Sequence, residues 1–113
     1  MNVSVDARLP PGVTPYKRTP VFTADTVPAG LLRDHSTKEG CWALIHVFEG
    51  RLLYVVEDSR RAHSATLLVP DEPPGLIEPT IVHRVEPKNA VRFQVEFFRS
   101  PASNLGCTPE KVQ

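Results

Sequence analysis

The sequence predicts a small all-β domain, a sandwich or barrel of short antiparallel strands. Three observations predict it. Twelve prolines spread along 113 residues cut the chain into pieces too short for long helices. Two stretches, Cys41–Phe48 and Val91–Phe98, alternate with the period of two that sends successive side chains to opposite faces of a strand. Turn residues recur about every 8–12 positions, the spacing of an all-β domain. A chain of this length forms a single domain with its own core.

Taken in order, Met1–Thr14 is polar and broken by proline, and reads as a loosely held arm before a barrel over 15–100. Tyr16–Phe22 is a short strand, which Pro20 places at an edge or a bulge because proline donates nothing to a ladder. "TADTVPAG" is a turn. Leu31, Leu32 and Arg33 form a short strand that delivers Asp34 and His35, and "TKEG" turns into Cys41–Phe48. There Trp42, Leu44, His46 and Phe48 share one face, and Ala43, Ile45 and Val47 the other. Both faces are largely apolar, so neither lies open to water along its full length. "EGR" makes a hairpin at Gly50, and Leu52–Glu57 returns. "DSRRAHS" turns, "ATLLVP" is a strand ended by Pro70, and "DEPPG" is a loop. Leu76 and Ile77 start a strand that Pro79 interrupts. "HRVEP" is another, "KN" a turn, and "AVRFQVEFFR" the last long strand. The polar tail, 101–113, is expected to be disordered.

Thirteen basic and thirteen acidic side chains cancel. With no basic stripe for phosphates, nucleic acid is excluded as the main partner, and so is an anionic membrane surface. The N-terminus has no apolar run of the kind that leads secretion, and no segment reaches the ~20 apolar residues of a membrane span. Cys41 and Cys107 are expected to be reduced thiols, with a single disulfide that ties the tail down as the alternative, since such usage is no secreted disulfide framework. A cytoplasmic protein is the default expectation.

His46 is a core histidine or a ligand. His35, on the preceding strand, and His83, far along the chain, are positioned to meet it if the strands converge. Three imidazoles and a carboxylate would suit Zn, Fe, Mn or Ni with open positions for water or substrate. Glu78, with Pro79 between it and His83, is the candidate fourth ligand. Arg92, Gln94 and Glu96 form either a ligand-binding row inside the barrel or a solvated face outside it, and Arg33 is a further candidate donor to a bound ligand. Asp34 is a turn residue or a partner that orients an imidazole. His63 and Glu49 read as surface residues. No Gly-rich loop opens a helix, which argues against a nucleotide phosphate site, and no nucleophile signature is present.

Two stretches, "YKRTPVFTADTVPAGLLRDHSTKEGCWALIHVFEGRLLY" and "IEPTIVHRVEPKNAVRFQVEFF", closely resemble the small YeaR-like family. The same domain stands at the N-terminus of some TehB tellurite-resistance methyltransferases. The resemblance covers about Leu9 to Arg99. It implies a cupin, a double-stranded β-helix or jelly-roll-like barrel. His35–Arg51 is similar to the first cupin motif, which ends in a turn like Glu49-Gly50. "PTIVHRV" resembles the second, with His83 at its metal-ligand histidine. Thr37 stands at the second position of the usual His-x-His, and the motif's glutamate would fall near Ala43, where none is present. The resemblance implies metal held by His35, His46 and His83 with Glu78. A methyltransferase domain needs a further ~150–200 residues, so methyl transfer is not expected of this chain itself.

Three functions compete. One is a cupin that binds a divalent metal or a small molecule in its barrel, in a tellurite or nitrosative stress response. Another is a ligand sensor without metal. The third is a dimerisation module, since small cupins often pair sheet to sheet and a homodimer would bury an outer face.

Overall fold

The computed structural model describes residues 7–100; residues 1–6 and the tail 101–113 lie outside the described residues. The strands in chain order are β1 (Thr14–Arg18), β2 (Phe22–Thr23), β3 (Cys41–Val56), β4 (Ser64–Leu68), β5 (Gly75–Ile77) and β6 (His83–Arg99). One 3₁₀ turn, Ala29–Leu32, lies between β2 and β3. All pairings are antiparallel, in one sheet of order β1-β6-β3-β4, with β2 added to β6 and β5 to β3.

β3 and β6 carry the architecture. They pair from Cys41 against Arg99 to Val56 against His83, and both bend at the same level. On β3 the register shifts between Val47 and Glu49 and again between Glu49 and Arg51. Gly50 takes φ +73 there, with Asn89 (φ 35) and Ala90 (φ 48) on the facing strand. The expected "EGR" hairpin and "KN" turn are therefore the two sides of one corner, and the chain does not reverse at either. Each long strand replaces two short ones of the sequence reading. Bulged corners of this kind let a sheet fold over on itself.

The corner also changes which residues face inward. Before Gly50 the core takes Cys41, Ala43, Ile45 and Val47; after it, Leu52 and Tyr54. On β6 the core takes Val85, Val91, Phe93, Val95 and Phe97. The two halves of the folded sheet face each other: a Cβ added at Gly75 would meet Leu68, Tyr54 and Ile45 together. Phe93, Leu52 and Ala43 are wholly removed from solvent.

β1 is an edge strand whose register shifts between Pro15 and Lys17, and the expected strand Tyr16–Phe22 is divided around Pro20 into β1 and β2. Leu31 and Leu32 belong to the 3₁₀ turn rather than a strand. The stretch from Ala7 is not loose: Leu9 is buried with Leu44 and Phe98 on the outer face, and Arg8 Nη2 donates to the Pro74 carbonyl at 2.6 Å. Cys41, expected as a reduced thiol, is disulfide-bonded, and Cys107 lies outside the described residues. No helix among the described residues is long and apolar enough to cross a membrane.

Candidate functional site

His35 and His83 face each other across a two-residue bridge. The His35 N–H donates to the His83 carbonyl and the His83 N–H to the His35 carbonyl, both at 2.9 Å. Residues paired this way project to the same side of the sheet. Their rings meet edge to face with centroids 4.2 Å apart, and Tyr54 stands edge-on to His83 at 5.7 Å.

Each ring is oriented by its own chain. Nδ1 of His35 lies 2.9 Å from the Arg33 carbonyl, and Nδ1 of His83 lies 2.9 Å from the Ile81 carbonyl. A carbonyl only accepts, so both Nδ1 atoms carry the proton and both Nε2 atoms offer a lone pair. Nε2 of His83 is buried and has no hydrogen-bond partner. The two histidines line a cavity of about 50 Å³. Thr19, Ser36 and Thr37 also line it, and Phe22, Leu31, Phe93 and Phe97 are among the apolar residues of its wall.

This environment keeps both rings neutral. Burial pulls His83 down to about 4, and the neighbouring His35 adds to the effect. Burial also lowers His35, opposed by the Arg33 carbonyl and the Asp34 charge. Asp34 itself is exposed, and the carbonyl of Arg33, not the Asp34 carboxylate, orients the imidazole.

A loop clasp holds His83 in place. The buried Asp58 accepts from the Val82 N–H at 2.9 Å and takes Arg60 on both carboxylate oxygens. Arg60 reaches on to the Thr80 carbonyl at 2.7 Å, where Thr80 has φ 64. The bonds from Arg60 hold the Asp58 carboxyl well below the usual carboxylate range. The segment "DSRRAHS", expected as a turn, carries this clasp as well. Its signal was available: an Asp two residues before an N–H it can accept is an Asx turn, as in the 2.8 Å bond from Arg60 N.

The other candidate ligands are elsewhere. His46 lies on the outer face of β3, in line with Trp42 and Leu44 and opposite to the core residues Ile45 and Val47. Its Nε2–H donates to Glu96 at 3.0 Å, and Glu96 also meets Arg18 at 3.3 Å. Arg18 in turn donates to Gln94, which donates to the Thr19 carbonyl. Glu78 is bound by Arg61 at 2.8 and 3.1 Å. Arg92 is about half exposed, 4.0 Å from Glu49, and Arg33 is exposed. Arg92, Gln94 and Glu96 thus form an outer face rather than a row inside the barrel. The four expected metal ligands are not brought together, and no group of three or more metal-ligating side chains occurs among the described residues. Thr37 donates its hydroxyl to the Cys41 carbonyl at 2.8 Å.

Residues 17–95 match the model of the TehB-like domain family. The chain is 32% identical over 72 residues to a probable S-adenosyl-L-methionine-dependent methyltransferase TehB of Haemophilus influenzae strain Rd, and 31% identical to that of strain 10810. The match takes 63% of this chain and 25% of each relative, so the chain spans about a quarter of the length of the curated relatives it matches. The crystal structure of TehB from Haemophilus influenzae superposes with a TM-score of 0.72 at 25% identity, over 80% of this chain and 32% of that one. A crystal structure of a protein from E. coli strain K12 superposes with a TM-score of 0.73 at 22% identity, over 85% of this chain and 99% of that one. The second likeness is one of fold.

Proposed function

The chain belongs to the TehB-like domain family, and from that premise we propose that it is a cupin-type binding module that holds a small neutral molecule against His35 and His83. The observation that carries this reading is Nε2 of His83, buried and without a partner, on a residue that lines a mostly apolar cavity. An unsatisfied buried acceptor costs about 1–3 kcal/mol. A ligand that donates a hydrogen bond to it recovers that cost. Both rings are neutral near pH 7, so an anion would find no cation there. Alcohols, amides and weak acids carrying their proton have the right chemistry. A cavity of about 50 Å³ takes a body of only a few heavy atoms, given that one water needs roughly 10–15 Å³ on this measure.

Titration of isotope-labelled protein with short-chain alcohols, amides and carboxylic acids tests this. Saturable shifts of the His83 Nε2 and Phe93 signals are expected, and their loss in His83→Phe. Signals unmoved by every probe would refute it.

A metal-bound form is a second reading, favoured by the carbonyl bonds to both Nδ1 atoms, which orient imidazoles as ligand histidines are oriented. The described residues offer two imidazole nitrogens, and water or substrate would have to complete the set. Metal analysis of protein purified without a His-tag decides: stoichiometric metal that His35→Ala abolishes would support it. We further place the module in the response to tellurite or nitrosative stress, on the strength of its family. Loss of tolerance on deletion, restored by wild type but not by His83→Phe, is the expected outcome. The cytoplasmic setting expected from sequence conflicts with the disulfide at Cys41, since thiols stay reduced there. Thiol counting on freshly isolated protein distinguishes the two.

A further inference from the structure

The two edges of the sheet are guarded unequally. β1 carries Pro15, Lys17 and Arg18, and its ladder with β6 is interrupted between Pro15 and Lys17. Proline, charge and bulge are the usual means of keeping an edge strand from pairing with another chain. β4, at the opposite edge, has none of them. Its sequence, Ser-Ala-Thr-Leu-Leu, is free of charge and proline. It pairs with β3 in unbroken register from Leu52 against Leu68 to Val56 against Ser64, and among the described residues no strand lies on its other side. Ser64 to Leu67 are exposed, Leu67 at 44%.

We propose that β4 pairs antiparallel with β4 of a second copy of this chain, about a two-fold axis at Thr66, so that the two sheets continue as one. The strand and its flanks complement themselves under that operation. Leu67 comes opposite the partner's Ala65, a large side chain against a small one. Arg60 and Arg61 precede the strand, and Asp71 and Glu72 follow it. The axis therefore brings the partner's Asp71 towards Arg61 and the partner's Glu72 towards Arg60, and the reverse pairs form by symmetry. Asp71 and Glu72 are exposed and carry no ion pair among the described residues. Arg60 and Arg61 already hold Asp58 and Glu78, yet their side chains remain 56% and 46% exposed. A guanidinium has five N–H donors, enough to take a second carboxylate. The ligand cavity is not involved, so this inference stands apart from the binding function.

Sedimentation equilibrium of the full chain is the test. Wild type is expected to dimerise at micromolar concentration. Thr66→Lys sets two ammonium groups face to face at the axis and should weaken association at least about tenfold. Asp71→Lys should also weaken it, with the loss growing at low salt. Lys17→Glu, on the other edge, should change nothing. A monomeric wild type overturns the proposal, and so does a dimer that survives both substitutions. If circular dichroism finds Thr66→Lys unfolded, Asp71→Lys in the exposed loop decides alone. A monomer whose β4 amides are protected only by a different protein assigns the edge to another occupant and likewise overturns it.

Discussion

At the scale of single residues, His83 sets the response to acid. Its folded value of about 4 lies below the ordinary 6.5 of an unfolded chain. Between those values the unfolded state binds more protons than the native state, so stability rises with pH. The contribution is intact above about pH 6.5 and is lost as pH falls towards 4. We expect the unfolding free energy measured in urea to fall across this window, by about 3 kcal/mol at its acid end, and His83→Leu to flatten the slope. A midpoint independent of pH from 7 to 4 would refute the burial argument. The clasp makes a second prediction. Asp58→Ala should quicken amide exchange at Val82 and His83 by about tenfold or more, since it removes the acceptor of one N–H and the anchor of the loop that carries both. The three strand histidines were legible in the sequence as the chemically notable residues, but the side of the sheet taken by His46 was not. Trp42, Leu44, Ile45 and Val47 make both faces of β3 apolar. Alternation then fixes which residues share a face without saying which face is inside.

At the scale of elements, the corner at Gly50 is the most exacting backbone position. A Cβ there would stand 2.3 Å from the Asn89 carbonyl oxygen and 2.7 Å from Val91 Cα. Both are backbone atoms, so no side-chain rotation relieves the clash. With the positive φ added, Gly50→Ala should cost about 2–4 kcal/mol, read as a fall in the urea midpoint at unchanged m-value. A cost under about 1 kcal/mol would mean that the corner yields easily. The sequence placed turn chemistry correctly at "EGR" and "KN" but joined it wrongly. Glycine and asparagine advertise a positive φ. A chain that reverses and a chain that merely bends both use it, and only the pairing partner distinguishes them. In β3 that partner is β6, supplied from far along the chain. Leu31 and Leu32 illustrate the opposite failure. Two leucines beside a glycine and a proline carry no period of two, and the 3₁₀ turn they form is held by local bonds such as Leu31 N–H to the Pro28 carbonyl.

At the scale of the whole molecule, the all-β class follows from proline spacing and alternation, while the folding of the sheet over on itself does not. That folding depends on the register between β3 and β6, which no local pattern encodes. Phe93 sits where the halves meet, fully buried and in contact with the Phe22 ring at 5.6 Å between centroids. Phe93→Ala should lower stability by about 3–5 kcal/mol, measured by chemical denaturation, and enlarge the cavity beside His83. A loss below about 1 kcal/mol would mean that the core collapses to fill the gap. Pairing residues so distant in sequence also places refolding in the slower range of milliseconds to seconds. One further property follows from the pairing of Thr14 with Arg99. The entry and exit of the barrel are cross-strand neighbours, so chain appended at either point need not pass through or around the fold.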